Sequence, residues 1–468
     1  MKFFEFINIE MIDETIANTI HINDAYGIDN MTYKHFIENK NGIVSNIFDR
    51  LRIGNYVFKP YKELLLLKNK FEPPRCISIP TLTDKVTLKL MQIYLKNIFE
   101  NKIYNQKIPQ AHIKDLKNSL NNYSHYIKVD IEKFFNSIDQ DILEEKLKYR
   151  LSNQDIKLIM DAVKNPTGKD INYCGVPQGI AISNILTDIY MMDIDRLFGE
   201  NPNIYYVRYV DDILILCNKD NCESIYEILR ENLESDLKLN LHTSKTKRAS
   251  LGESFEYLGY KVYFDEREKT YKVAIKDIAV KRMEERLLKI IQEYKYSHKG
   301  DIPTRTFIHQ INLLITGAVT SQLNNEIFLS EKRYGWLFFY SQTDSIKCLY
   351  HLDSFIEKKI NKITSKIADV KKQQICKGIK KFVTTYFEIK YNFKNSDYIF
   401  RPDELSLTER QNFLVETLGF SKNIVYFEYN KENYKNEQDF NEFVDKIYYK
   451  NVYKQIKRQE QDVLDMIS

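Results

Sequence analysis

The stretch YVRYVDDILIL, Tyr206 to Leu216, sets two adjacent acids between two apolar, β-branched runs. Such runs read as buried strands, and two of them around a short interruption read as a hairpin. Burying one unpaired carboxylate is costly, and two side by side repel each other. The segment must therefore either expose its acids on a hairpin tip or set positive charge against them. Its apolar flanks favour a hairpin central to its sheet, and hence a positive partner. Consecutive strand residues face opposite ways. Asp211 and Asp212 therefore differ in role unless the turn bends them together, and Asp211 is expected to be the principal one.

A second segment delivers another acid. YIKVDIEKFF, Tyr126 to Phe135, alternates, with Ile127, Val129 and Ile131 on one face and Tyr126, Lys128 and Asp130 on the other. Paired divalent cations need carboxylates from at least two strands, held rigidly on a shared face. Asp130 and Asp211 could bridge two Mg²⁺ ions with Asp212 beside them, Mn²⁺ being the alternative ion. Nucleotidyl transfer uses such a pair, one ion activating a 3′-hydroxyl and the other steadying the leaving pyrophosphate.

The surrounding pattern predicts an α+β fold with a small antiparallel sheet backed by helices. Helices are expected over Thr83 to Glu100, from about Asp141 to Val163, and over Ile182 to Phe198. FEYLGYKVYFDEREKTYKV, Phe255 to Val273, reads as a second hairpin, and the chain from Asp277 onward reads as mostly helical. At 468 residues two or three domains fit. No apolar run reaches the ~18 residues of a membrane span. The opening MKFFEFINIEMIDE carries acids too early for a signal peptide, so a cytoplasmic protein away from membranes is expected. Six scattered cysteines include no C-x-x-C pair, which leaves no zinc or redox motif of that kind. A net charge of +4 is nearly balanced and does not by itself mark a nucleic-acid binder. The basic stretches VKKQQICKGIKKF and SKTKR each read first as solvated faces.

Taken in order, several motifs resemble those of the reverse transcriptases. RCISIPTLTDK (Arg75 to Lys85) is similar to the fingers motif, VDIEKFFNSID to the first palm motif, and GVPQGIAISNIL (Gly175 to Leu186) to the P-Q-G motif. YVDD (Tyr209 to Asp212) resembles the catalytic hairpin, SKTK the lysine-bearing motif after it, and YLGY (Tyr257 to Tyr260) the primer-grip hairpin. AYGIDNMTYKHF (Ala25 to Phe36) is similar to the N-terminal region of intron-type members. The resemblance implies a right-hand polymerase in four parts. These are an N-terminal extension and fingers (1–125), a palm (126–270) with an inserted fingers segment at about 140–175, a helical thumb (271–362) and a helical C-terminal extension (363–468).

The resemblance also implies residue roles. Asp130, Asp211 and the Ile131 carbonyl would ligate metal, with Asp212 in support. Phe135 would be the steric gate against a ribose 2′-hydroxyl, and Phe134 the core neighbour. Gln178 would lie against the incoming nucleotide, and Gly179 would permit close backbone approach. Arg75 and Lys68 would meet triphosphate oxygens, where a guanidinium fork suits the geometry. Lys245 would protonate the leaving pyrophosphate, and Leu258, Gly259 and Tyr260 would hold the primer end. For Trp336, in RYGWLFFYSQTD, core packing is preferred over a base-stacking platform.

Recognisable accessory domains are missing, and what remains is similar to stand-alone bacterial reverse transcriptases of antiphage defence. ITGAVTSQLNN followed by RYGWLFFYSQ resembles the first subunit of type three systems. That reading expects dNTPs, an RNA template of noncoding type, a DNA product, and a second reverse transcriptase subunit or another copy as partner. Two alternatives stay open: an intron-type maturase, and a polymerase that works without a template or primes from its own tyrosine.

Overall fold

Two hydrogen-bonded strands, β1 (Lys62–Leu66) and β2 (Arg75–Ile79), open the β structure, antiparallel with Leu64 opposite Ile77. The computed structural model describes residues 1–20, 25–67, 73–104, 107–169, 172–296, 300–322, 330–365, 369–429 and 436–467. They fall into two units, one of residues 1–107 and 119–251, the other of 108–118 and 252–468.

In the first unit, the helix Leu82–Phe99 starts where Thr81 Oγ1 accepts from Asp84 N at 3.1 Å, satisfying an otherwise orphaned amide. It buries Val86, Leu90 and Tyr94, as their helical spacing predicts. The central sheet comprises β3 (His125–Asp130), β4 (Tyr205–Tyr209), β5 (Asp212–Cys217) and β6 (Lys247–Ser250), in the spatial order β4-β5-β3-β6. All its pairings are antiparallel. Ile127, Val129, Ile213 and Ile215 are completely buried, so the sheet sits at the heart of this unit's core. The helix expected from Asp141 to Val163 is instead two, Gln140–Lys148 and Asn153–Lys164. Ser152 caps the second by accepting from Asp155 N, and a strong N-cap residue in mid-segment is the reason for the break. The helix Ser183–Gly199 packs against β4.

In the second unit, β7 (Phe255–Tyr257), β8 (Tyr260–Asp265) and β9 (Thr270–Ile275) form a three-stranded meander where a simple hairpin was expected. Leu258 (φ +44°) and Gly259 (φ +78°) make the two-residue turn between β7 and β8, a conformation that matches the twist of antiparallel strands. The mostly helical expectation beyond Asp277 needs one correction: β10 (Ala318–Gln322) and β11 (Ser330–Tyr334) form a hairpin. Gly317, at φ +65°, stops the helix Asp301–Thr316, and the β-branched Val319 and Thr320 follow in extended form. Trp336 is buried, its ring 4.9 Å from Tyr340, which makes it a core residue. The helix Glu437–Ile467 buries Phe440, Val444, Tyr448, Val452 and Ile456, a stripe at four-residue spacing. The chain is thus α+β, as the alternation predicts. Among the described residues no helix is long and apolar enough to cross a membrane.

Candidate active site

The hairpin Tyr206 to Leu216 forms as its pattern predicts. Tyr209 pairs with Asp212, leaving Val210 and Asp211 as a two-residue turn. Val210 has φ +57°, a left-handed conformation that a β-branched residue seldom adopts. Asp212 begins β5 directly opposite Asp130 on β3. Cross-strand partners share a face, so Asp212 is Asp130's neighbour in the sheet, while Asp211 approaches Asp130 from the turn. The Asp211 carbonyl accepts from Ile131 N at 3.2 Å, tying the turn to the end of β3.

Two of the three acids, Asp211 and Asp212, are electrostatically strained. Burial, and then the charge of Asp130, push the Asp211 carboxyl above its ordinary pKa, while Lys245 and Arg75 pull it back. Burial pushes Asp212 up to about 6 against the opposing pull of Lys128, whose Nζ lies 3.5 Å from Asp212 Oδ1. Lys245 Nζ donates to Asp130 Oδ2 at 2.8 Å. Two lysines therefore supply the positive charge that the sequence demanded.

Among the described residues no group of three or more His, Cys, Asp and Glu side chains is placed to hold a metal ion by itself. The charge of Asp130 raises the Asp211 pKa, so the two carboxylates lie near enough to repel each other. Ions of the Mg²⁺ type are commonly bound through one or two carboxylates, with substrate phosphates and water completing the shell. Two neighbouring carboxylates, of which Asp211 has its proton affinity raised by burial and by the charge of Asp130, stand beside a lysine ammonium as a donor set that fits such an ion.

The nucleotide-facing candidates sit on connected backbone. Phe135 is partly exposed and Phe134 is buried, and the Phe135 carbonyl accepts from Val176 N at 2.7 Å. Gln178 Nε2 donates to Asn136 Oδ1 at 3.0 Å, and the Gln178 carbonyl accepts from Ser78 N of β2 at 2.7 Å. Arg75, at the start of β2, is exposed and close enough to lower the pKa of Asp211. Gly179 has φ +100°, and a Cβ there would meet Ile77 Cγ2 at 2.6 Å, so its close backbone approach is to β2. Leu258, Gly259 and Tyr260 lie in the second unit, where a Cβ on Gly259 would meet Tyr340 Oη at 2.9 Å. Lys68 lies outside the described residues.

Sequence reasoning missed the support behind the hairpin. Arg208, on β4, is completely buried and its guanidinium grips Asp195 through Nε (2.8 Å) and Nη2 (2.6 Å). Nη2 also donates to Asp188 at 3.1 Å, and Nη1 donates to the Val210 carbonyl at 2.9 Å. Tyr206 Oη donates to Asp195 Oδ1 at 2.7 Å. Burial works against the guanidinium charge, and the Asp195 carboxylate overcomes it, holding the pKa above the ordinary arginine value. Asn136, the partner of Gln178, was likewise passed over. The available signal was an arginine inside an apolar strand, with two acids seven residues apart on the preceding helix.

Residues 67–262 match the family described as reverse transcriptase (RNA-dependent DNA polymerase). The matched stretch is similar to that family and makes up less than half of the chain. The chain is 22% identical over 312 residues to the group II intron-encoded protein LtrA of Lactococcus lactis subsp. cremoris, covering 50% of this chain and 52% of that protein. It is 22% identical over 267 residues to protein YkfC of Escherichia coli K12, covering 46% and 69% respectively. The chain thus spans about half the length of the intron-encoded relative it matches. Among solved structures, the telomerase of Candida albicans with a fragment of telomeric RNA aligns with a TM-score of 0.41 at 13% identity, covering 84% of this chain and 68% of that one. Every described site candidate from Arg75 to Tyr260 falls inside the segment that matches this family.

Proposed function

We propose that the chain is an RNA-directed DNA polymerase that adds dNTPs to a primer 3′-hydroxyl on an RNA template. The observation that carries this reading is the nearness of Asp211, in the hairpin turn, to Asp130 on β3, where burial and the Asp130 charge raise the Asp211 pKa and favour a bound cation. Two Mg²⁺ ions, or Mn²⁺ in their place, would supply charge neutralisation and a more acidic primer hydroxyl when bound. Asp130, Asp211 and the Ile131 carbonyl would hold them, with Asp212 in support. Arg75 would pair with the triphosphate oxygens. Gln178, its amide oriented by Asn136, would lie against the nucleotide, and the partly exposed Phe135 ring would exclude a 2′-hydroxyl. Lys245, released from Asp130, would donate its proton to the leaving pyrophosphate. Leu258, Gly259 and Tyr260 would hold the primer end.

The test is dNTP incorporation on a primed RNA template by the purified chain. Asp211→Asn is expected to lower the rate about a hundredfold or more while the melting temperature stays close to wild type. Equal incorporation by the variant overturns the reading.

We place this reaction in antiphage defence, in the cytoplasm, with a noncoding RNA as template and a second reverse transcriptase subunit or another copy as partner. The support is the resemblance of the segments around Ile315 and Arg333 to that group. Cells expressing the wild type should survive phage challenge better than cells expressing Asp211→Asn, and equal plaque numbers reject it. The intron-encoded relatives favour a second reading, a maturase of group II type. RNA copurifying with the chain distinguishes the two: a self-splicing intron from a flanking gene supports the maturase.

A further inference from the structure

We propose that Arg208 is a positioning residue that fixes the Val210–Asp211 turn and, through it, the direction in which the Asp211 carboxylate points. The inference rests on the polymerase reading above and goes beyond it. All three guanidinium nitrogens are engaged: Nε and Nη2 with Asp195, Nη2 also with Asp188, and Nη1 with the Val210 carbonyl. The frame that holds the guanidinium is rigid. Asp188 and Asp195 are seven residues apart on the helix Ser183–Gly199, two turns along one face, and Tyr206 Oη fixes Asp195 from the strand.

The Val210 carbonyl belongs to the peptide unit that joins Val210 to Asp211, and that unit is planar. Holding its oxygen therefore holds the Asp211 amide and orients the Asp211 Cα. The peptide on the other side of Asp211 is held as well, through its carbonyl to Ile131 N. The acid is thus anchored on both flanks. Val210 needs such an anchor, because a β-branched residue at φ +57° persists only where its surroundings enforce the conformation. Only a planar, forked cation can grip Asp195 with two nitrogens and turn a third toward a carbonyl. A lysine at this position keeps the charge and loses the span.

The experiment compares the full-length wild type with Arg208→Lys, which retains a charge for the buried Asp195. Five quantities are measured: melting temperature, kcat and KM for dNTP incorporation, Mn²⁺ affinity by electron paramagnetic resonance, and amide hydrogen exchange of the peptide containing residues 209–212. The expected result is a folded variant whose kcat falls at least tenfold while the KM for dNTP changes less than twofold. Mn²⁺ should bind severalfold more weakly, and the turn amides should exchange at least tenfold faster. A folded variant with wild-type kcat, Mn²⁺ affinity and exchange overturns the proposal. If Arg208→Lys does not fold, Asp188→Asn, which leaves the Asp195 grip in place, must show the same kcat loss and faster exchange to a smaller degree. A folded Asp188→Asn indistinguishable from wild type then overturns it. A wild type that incorporates no nucleotide rejects the polymerase reading, and the exchange data alone still decide the role of Arg208.

Discussion

Gly179 shows how much one residue without a side chain holds in place. Its φ of +100° lies where L-residues are strained, and an added Cβ would press within 2.6 Å of Ile77 Cγ2 on β2. Gly179→Ala should therefore cost about 2–3 kcal/mol, read as a lowered urea midpoint with an unchanged m-value. An unaltered midpoint would mean that β2 yields freely. At this scale the sequence was informative at the adjacent acids Asp211 and Asp212, whose chemistry is incongruous with their apolar flanks, and at Asp130, which strand alternation set on the polar face. Arg208 was just as incongruous and was overlooked, because its partners Asp188 and Asp195 lie on a preceding helix whose packing against β4 cannot be read from spacing alone.

Among elements, β3 was legible from its period-two alternation and β4 and β5 from their apolar, β-branched runs, whereas β6, a short polar strand in a stretch read as a solvated face, was not. The β10–β11 hairpin was not, since its five-residue strands are short and lie among helices. The helix Asp301–Thr316 carries a titratable group that links its packing to pH. His309 is held by burial at a pKa of about 4, a lowering that the hydrogen bond to Gln455 resists and Lys380 reinforces. Its ring meets Phe400 and Phe413 edge-on. The unfolded chain titrates this histidine near 6.5, so between about 6.5 and 4 the unfolded state binds the extra proton. Stability from this group is complete above that window and is lost as pH falls through it, to a limit of about 3 kcal/mol. His309→Gln should flatten the fall in denaturation midpoint between pH 7 and pH 4.5. A slope equal to wild type would assign the acid sensitivity elsewhere.

At the scale of the whole molecule, two units each carry their own buried clusters, one from Phe3 to Leu241 and others from Leu313 to Ile456. Separate cores predict thermal unfolding that is not two-state, with a calorimetric enthalpy above the van't Hoff value. Equality of the two enthalpies would show that the cores melt as one. That division was the least legible feature, because no linker composition marks it and residues 108–118 join the later unit across an intervening stretch. The strand order β4-β5-β3-β6 carries a consequence for how the molecule comes into being. β3 precedes all its sheet neighbours in sequence, so on the ribosome it emerges with neither edge covered and must wait for β5 and then β6. Asp130 is synthesised early, meets Lys245 only after β6 has left the exit tunnel, and meets Asp211 only once β5 has. Until then the nascent chain exposes an apolar strand with both edges open, the state in which edge-to-edge misassociation competes with folding.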